Sequence, residues 1–184
     1  MKKRPHKNQK YIAYVVSSID GVISLKKKKL PDWTSREDQE FFQKSLEKFD
    51  AVVVGLNTYE AAKERLQKRN AFVLTHEVKT TKQEGNVTFV NPANVDLRKL
   101  LESYKTVAVL GGSEAYSFML NEGLLDEIFL TIEPLVFGRG IRIFADKTKH
   151  ARLRLLSAKK LNPRGTILLH YQVDKSVNLA IISS

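Results

Sequence analysis

Asp38, in the stretch LPDWTSREDQEFF (residues 30–42), has the surroundings of a catalytic acid. It follows Trp33 by five residues and precedes Phe42 by four, so aromatic rings are expected on both sides of its carboxyl group. Burial among apolar groups raises the pKa of a carboxyl toward neutral pH, where it can act as a general acid. The alternative interpretation is a first-turn helix acid that only interacts with the helix dipole.

Two strand-to-helix turns carry glycine and could hold phosphate groups. Gly55 ends the strand in VVVG-LNTYE, and Gly111 and Gly112 end the strand in VAVLGG-SEAY. Ligands of α/β sheets bind at the carboxyl ends of strands, where helix N-termini offer free N–H groups and glycine permits close approach. The full dinucleotide fingerprint has a third glycine, so simple steric relief in each turn is an alternative.

The elements that must position these residues follow from the hydrophobic pattern. The first two-thirds of the chain alternates strands with helices, and the last third has strands without helices between them. This order predicts an α/β fold with a mostly parallel central sheet, antiparallel edge strands at one edge and flanking helices. We expect strands at residues 10–17, 51–55, 71–75, 87–90, 106–110, 127–137, 152–161 and 166–173. We expect helices from Thr34 or Ser35 to about Lys48 and at residues 57–66, 95–104 and 113–122, and a long loop over residues 18–32.

Composition restricts the class of protein. A chain of 184 residues, 42 % of them hydrophobic, suits one globular domain. It has no cysteine, so we expect neither disulfides nor thiolate metal sites and a cytoplasmic location. Four scattered histidines do not suggest zinc, and no apolar run approaches the roughly 20 residues of a membrane span.

The net charge of +11 is concentrated in two segments. Five positive charges fall in residues 1–10, four are the lysines at 26–29, and +2 remains for the rest of the chain. We interpret these segments as a solubilising tail and a solvated loop, with binding of nucleic acid or another polyanion as the alternative. The sequence predicts a basic flexible tail over residues 1–9, one domain over residues 10–173 and a C-terminal tail over residues 174–184.

Several of these motifs, in this order, resemble the dihydrofolate reductase superfamily over about residues 10–173. The family has a Leu-Pro-Trp segment five residues before an acid, a Gly-x-x-Thr-aromatic-Glu motif, an Arg eleven residues past that Thr, and a Gly-Gly turn with a nearby Tyr. The matching residues, with Asp32 inserted between the first two of them, are Pro31, Trp33, Asp38, Phe42, Gly55, Thr58, Tyr59, Glu60, Arg69, Gly111, Gly112, Tyr116 and Thr131. The resemblance implies a dihydrofolate reductase-like three-layer α/β fold.

Other segments resemble the reductase domain of riboflavin biosynthesis in the same superfamily. SSIDG (residues 17–21) is similar to its Ser-x-Asp-Gly, and EPLVFGRG (residues 133–140) to its Pro-x-x-x-Gly-x-Gly. That branch has an Arg where this chain has Leu46, and a later Asp-x-Pro-x-Leu-x-x-Arg segment that is absent here; both serve a ribose phosphate. The substrate-facing residues therefore favour a pterin.

The resemblance implies an NADPH-dependent reductase that converts 7,8-dihydrofolate to tetrahydrofolate. Asp38 would assist protonation and Thr131 would hydrogen-bond it. The substrate-binding residues implied are Trp33, Phe42, Leu66 and Arg69, the last as a clamp on a carboxylate. The cofactor-binding residues implied are Val16, Asp20, Gly21, Ile23, Gly55, Asn57, Thr58, Thr75, His76, Leu110, Gly111, Gly112, Ser113, Glu114, Ala115 and Tyr116.

Departures from the family pattern leave alternatives open. Leu56 and Glu114 stand where relatives carry basic residues. Thr75 and His76 are therefore the groups expected at the 2′-phosphate of NADPH, with Lys79 or Lys63 as further candidates, and NADH is the alternative cofactor. The alternative substrate is the 5-amino-6-ribosylaminopyrimidine of riboflavin biosynthesis, and a basic nucleic-acid-binding protein is a remote alternative. The riboflavin-type resemblance in the last third of the chain also suggests a homodimer. The lysines at 26–29 would draw anions to the site, so we expect activity to fall as salt is added.

Overall fold

The computed structural model describes residues 9–175, in which helices cover both faces of a nine-stranded sheet. The strands are β1 (Lys10–Ser18), β2 (Val22–Ser24), β3 (Ala51–Gly55), β4 (Ala71–Leu74), β5 (Thr81–Glu84), β6 (Val87–Val90), β7 (Thr106–Val109), β8 (Glu127–Glu133), β9 (Ile141–Arg142), β10 (Arg152–Lys160) and β11 (Ile167–Asp174). The helices are α1 (Arg36–Leu46), α2 (Leu56–Ala61), α3 (Lys63–Leu66), α4 (Leu97–Leu100) and α5 (Ser113–Asn121). Apart from residues 9, 174 and 175, the two predicted tails lie outside the described residues, and the domain boundaries stay a prediction.

The sheet is parallel at its centre and antiparallel at its edges. The strand order is β10-β11-β8-β1-β7-β3-β4-β6-β5. Strands β8, β1, β7, β3, β4 and β6 pair in parallel, whereas β11 is antiparallel to β8, β10 to β11 and β5 to β6. This arrangement confirms the predicted α/β class with a mostly parallel central sheet and antiparallel edge strands.

The second antiparallel edge was not predicted, since the sequence indicated only one. Strand β5 reads TKQE, and all four of its residues are exposed, so it has no apolar alternation to mark it as a strand. It forms because a two-residue turn with Gly85 at φ +61° folds it back along β6.

The continuous apolar runs of the central strands follow from burial on both faces. Along β3, Val53 belongs to the core cluster that contains residues of α4 and α5, while Val52 and Val54 belong to the cluster under α2 and α3. All three valines have 0 % exposure. A strand covered on both sides has no polar face, and this is why AVVVG has no polar alternation.

The predicted elements differ from the observed ones mainly at their ends. Ser35 is the N-cap of α1, which ends at Leu46, about two residues earlier than expected. The predicted helix over residues 57–66 is divided at Ala62 into α2 and α3. The predicted loop over residues 18–32 contains β2, which pairs with β9, a partner that lies more than 100 residues away in the sequence.

Strand β10 forms one edge of the sheet and has all nine of its residues exposed. Leu153, Leu155 and Leu156 are among the exposed large hydrophobic residues. The homodimer expected from the resemblance stays a prediction. Among residues 9–175, no helix combines the length and apolar character that crossing a bilayer requires.

Candidate active site

A cleft of about 1550 Å³ opens where the carboxyl ends of β1, β3 and β7 meet. Its walls come from α1 on one side and from the first turns of α2 and α5 on the other. Because the strands are parallel, their carboxyl ends bring both glycine turns and the Asp38 helix to the same edge of the sheet. The cleft is therefore the place where the candidate residues can act together.

Asp38 lies in the first turn of α1 and faces the cleft. The Ser35 hydroxyl caps the helix and accepts a hydrogen bond from the Asp38 N–H at 3.4 Å. The side chains of Phe41 and Phe42 line the same wall, and Asp38 is only 8 % exposed. Burial in this setting raises the pKa of Asp38 to about 6, although the hydrogen bond with Thr131 partly offsets the rise. The carboxyl is thus poised to exchange a proton near neutral pH.

A second buried carboxylate, Glu133 at the end of β8, fixes the start of α1. Its Oε1 accepts from the Ser35 N–H at 2.6 Å, and its Oε2 accepts from the Thr166 hydroxyl at 2.6 Å. Glu133 is 4 % exposed, and its negative charge also raises the pKa of Asp38. It therefore positions the Asp38 helix turn and influences the charge of Asp38. Sequence reasoning missed this residue because its partners are 33 and 98 positions away.

Replacing Glu133 with glutamine is expected to lower the pKa of Asp38, since the substitution removes the charge that opposes ionisation. Glutamine can still accept from Ser35, so the loss of stability should be about 1–2 kcal/mol, the range for one weakened buried hydrogen bond. Carbon-13 NMR titration of the Asp38 carboxyl and urea unfolding measure the two effects. Glu127→Gln, at the other end of β8, is the matched control and should leave the Asp38 titration in place. An unchanged pKa in Glu133→Gln would contradict the electrostatic role.

The two glycine turns lie against each other on the cleft floor. The Gly55 N–H donates to the Gly111 carbonyl at 2.6 Å. A Cβ added at Gly55 would lie 3.4 Å from the Gly112 nitrogen, and one added at Gly112 would lie 3.4 Å from the Thr58 hydroxyl oxygen. Neither α2 nor α5 has a side-chain hydrogen bond at its N-cap. The floor is therefore backbone, with unshielded N–H groups at the start of α5, and these features fit a pyrophosphate.

Two features favour glycine at position 111: its backbone conformation and the closeness of Tyr116. Its φ is +100°, and the peptide bond between Gly111 and Gly112 is cis. A Cβ at Gly111 would approach the Tyr116 hydroxyl to 3.1 Å. That hydroxyl donates to the Tyr14 carbonyl at 2.5 Å, which ties α5 to β1 at the cleft.

The structure brings most of the predicted cofactor-binding residues to this cleft. Those on its wall are Val16, Ile23, Gly55, Asn57, Thr58, Thr75, His76, Leu110, Gly111, Gly112, Ser113, Glu114, Ala115 and Tyr116. Asp38, Thr131 and Phe42 line it as well. Their roles toward a ligand stay predictions.

Asp20 and Gly21 were expected at the cofactor, but neither lines the cleft. The Asp20 carboxylate accepts from the Ser18 hydroxyl at 2.6 Å and from the N–H groups of Phe137 and Gly138 at 3.2 and 2.7 Å. These hydrogen bonds, led by that of Ser18, lower the pKa of Asp20 to about 2. Asp20 therefore holds the turn after β8 next to the loop after β1, which makes it a positioning residue in this structure.

Three of the predicted substrate-binding residues also lie off the cleft wall. The Trp33 ring packs edge-on against Phe137, with centroids 5.2 Å apart. Leu66 is 5 % exposed and belongs to the core cluster under α2 and α3. The Arg69 guanidinium donates to the Leu46 carbonyl at 3.0 Å, so it caps the end of α1. Arg69 therefore does not line the cleft, where a carboxylate clamp would lie.

Several cleft residues carried no sequence signal for this site. Arg142 reaches the wall because β9 folds back onto β2, and Arg65 reaches it from α3. Tyr14 and Phe129 line it with stacked rings whose centroids are 5.2 Å apart. The four lysines at 26–29 all lie on the wall too. Of the residues in this group, only the lysines stood out in the sequence, because of their charge.

Comparisons with known proteins agree with this architecture. The model of the RibD C-terminal domain family matches residues 9–167. The Uncharacterized protein YwjB of Bacillus subtilis (strain 168) is 27 % identical over 173 residues, which cover 89 % of this chain and 97 % of YwjB.

Two solved structures show the same fold at low sequence identity. A pyrimidine reductase-like protein from Corynebacterium diphtheriae has a TM-score of 0.70 and 17 % identity, covering 91 % of this chain and 92 % of that one. Dihydrofolate reductase from Enterococcus faecalis, complexed with NADP(H) and RAB-propyl, has a TM-score of 0.62 and 22 % identity, covering 91 % and 98 % of the two chains. The likeness to both confirms the dihydrofolate reductase-like fold.

Proposed function

Since the chain belongs to the RibD C-terminal domain family, we propose that it is an NADPH-dependent reductase of a small nitrogen heterocycle, with a pyrimidine as the first candidate substrate. The observation that carries the proposal is the single cleft that contains both the buried acid Asp38 and the two glycine turns. A reductase of this kind needs a proton donor and a dinucleotide-binding floor on opposite sides of one substrate.

The cleft floor supports the cofactor half of the proposal. The backbone N–H groups at the start of α5 would hold the pyrophosphate, and Gly55 and Gly112 leave room for it. Thr75 and His76 follow β4 on the cleft wall and would face the adenosine end. When bound there, NADPH supplies a hydride.

Asp38 supports the substrate half. With a pKa of about 6, it is protonated in an appreciable fraction of molecules at neutral pH. In that form it can donate a hydrogen bond to a ring nitrogen, and when ionised it can accept from the amidine-like edge of the heterocycle. Phe41 and Phe42 on the same wall exclude water from its surroundings, which strengthens either interaction.

Dihydrofolate is the second candidate substrate. The setting of Asp38, a buried acid that faces the cleft beside Phe41 and Phe42 and is hydrogen-bonded to Thr131, favours a pterin ring. Two observations favour the pyrimidine instead. The family match is to the RibD C-terminal domain, and Arg69 binds the Leu46 carbonyl rather than facing the cleft as a folate clamp would.

Oxidation of NADPH at 340 nm with each substrate in turn tests the proposal. The pair is 5-amino-6-ribosylaminopyrimidine 5′-phosphate and dihydrofolate, the second with and without methotrexate. Turnover of the pyrimidine supports the first candidate, and methotrexate-sensitive turnover of dihydrofolate supports the second. Failure of NADPH and NADH to bind, measured by calorimetry, would contradict the proposal for both substrates.

A further inference from the structure

The cleft carries a cluster of cations that the proposed function does not use. We define the lysine loop as residues 25–30, between β2 and the segment that leads into α1. All four of its lysines, at 26–29, line the cleft, and Arg142 of β9 lies on the same wall. The loop therefore presents positive charge to whatever occupies the cleft.

Hydrogen bonds from Ser24 fold the backbone of the lysine loop into a turn. The Ser24 hydroxyl donates to the Lys26 carbonyl at 2.7 Å and accepts from the Lys26 N–H at 3.3 Å. Lys28 has φ of 57°, the left-handed region that a lysine rarely adopts. The turn grows from the β2–β9 ribbon, so its position relative to the cleft is set by strand pairing.

Two of the four charges are neutralised within the protein and two are not. Lys28 pairs with Glu60 at 2.8 Å, which links the loop to α2, and Lys29 pairs with Asp32 at 2.7 Å. Among residues 9–175, Lys26 and Lys27 have no ion pair within 4.0 Å. Adjacent like charges repel, so the loop favours binding of an external anion.

The charge and position of the loop define the chemistry of that anion. A phosphate monoester carries about −1.5 to −2 charges at pH 7, close to the two uncompensated charges of Lys26 and Lys27. The Lys28–Glu60 pair is exposed on both sides, and such pairs are weak enough for a phosphate to displace the carboxylate. A ligand phosphate can therefore replace the Glu60 carboxylate as the ion-pair partner of Lys28.

We propose that the lysine loop is a phosphate-monoester subsite of the cleft, with Glu60 as its internal competitor. This inference rests on the proposed function, because the phosphate belongs either to the substrate or to the 2′ position of the cofactor. The two sources share one chemistry, and binding measurements can separate them.

The test compares Lys26→Gln/Lys27→Gln with Lys159→Gln/Lys160→Gln, which removes the same charge from the exposed edge strand β10. Calorimetry measures the Kd of ribose 5-phosphate, NADPH and NADH for each protein at low salt. We expect at least tenfold weaker binding of one phosphate probe in the loop variant only. Weaker ribose 5-phosphate binding with NADPH unchanged assigns the subsite to the substrate. Weaker NADPH binding with NADH unchanged assigns it to the cofactor.

Glu60→Gln gives an opposite and independent signal, because a loop that had merely lost its structure could not gain affinity. Removal of the competitor is expected to lower the Kd of the same probe two- to fivefold. Added salt should raise that Kd in the wild-type protein more steeply than in the loop variant. Equal Kd values in the loop variant and the β10 control would overturn the inference.

The results also separate this inference from the proposed function. Binding of ribose 5-phosphate without binding of either nicotinamide cofactor would contradict the function and leave the subsite in place. Binding of both cofactors with no loss in the loop variant, and no ribose 5-phosphate binding, would leave the function in place and remove the subsite.

Discussion

Asp38→Asn is expected to lower kcat/KM by about 10²–10⁴-fold below pH 6, the usual contribution of a positioned proton donor. Asparagine keeps the shape of the side chain and can still accept from Thr131, so the cleft should keep its form. It cannot supply or take up a proton. The Kd of NADPH should stay within about twofold of wild type, because the glycine turns lie on the other side of the cleft.

The pH dependence follows from the raised pKa of Asp38. In the wild-type protein the acid is protonated below about pH 6, so kcat/KM should fall as pH rises through 6. The asparagine variant should lose this limb. The stability of the wild-type protein should change in the same pH window, because burial disfavours the ionised form of Asp38. The raised pKa contributes about 3 kcal/mol to the free energy of unfolding below pH 3.8. This contribution is lost as pH rises through about 6.

Glu37→Gln is the matched control for Asp38→Asn. Glu37 lies in the same first turn of α1, but its carboxylate accepts from Asn162 at 3.1 Å and does not line the cleft. If interaction with the helix dipole were the whole role of Asp38, the two variants would lose similar stability and no activity. Wild-type kcat/KM in Asp38→Asn, or an equal loss in Glu37→Gln, would contradict the catalytic role.

Gly140→Ala is expected to destabilise the protein by about 2–4 kcal/mol. Gly140 has φ of +140°, and an added Cβ would lie 2.5 Å from Val22 Cγ1 and 2.8 Å from the Ser24 carbonyl oxygen. The Ser24 oxygen is backbone and cannot rotate away, so the β2–β9 ribbon must shift. Strained backbone costs about 1–3 kcal/mol, and overpacking adds a similar amount. Urea unfolding at constant slope measures the difference.

Gly138→Ala separates the two costs. Gly138 lies in the same turn with φ of +71°, but a Cβ there would meet nothing within 4 Å. Only the conformational cost should remain, about 1 kcal/mol. Equal destabilisation by the two substitutions would show that steric contact at Gly140 contributes nothing. Because Gly140 supports the ribbon from which the lysine loop grows, Gly140→Ala should also weaken binding of the phosphate probe.

Local patterns in the sequence were sufficient for most of the sheet. The runs AVVVG and AFVL are apolar because both faces are covered, and this property is visible in the residue types alone. Strand β5 was invisible because its four polar residues pair through the backbone, which has no residue-type signature. The predicted helix over residues 57–66 divides at Ala62, where neither glycine nor proline indicates a break.

The candidate site was predictable where one short segment carries its own chemistry. Asp38, with its aromatic neighbours and its Ser35 cap, was marked by the spacing within α1, and each glycine turn was marked by a strand before it and a helix after it. The resemblance implied substrate-binding roles for Trp33 and Arg69, but in the structure neither residue lines the cleft. Trp33 packs on Phe137, and Arg69 satisfies the Leu46 carbonyl at the end of α1.

The sequence by itself determined the α/β class, the parallel centre of the sheet, the acid on α1 and the lysine loop, because these depend on residue types within about ten positions of one another. Only the tertiary structure decided that Glu133 supports the first turn of α1, that Asp20 holds the turn after β8, and that the lysine loop lines the cleft. The reason is that hydrogen bonds and strand pairings between residues about 100 positions apart depend on how the sheet closes, which no local pattern records.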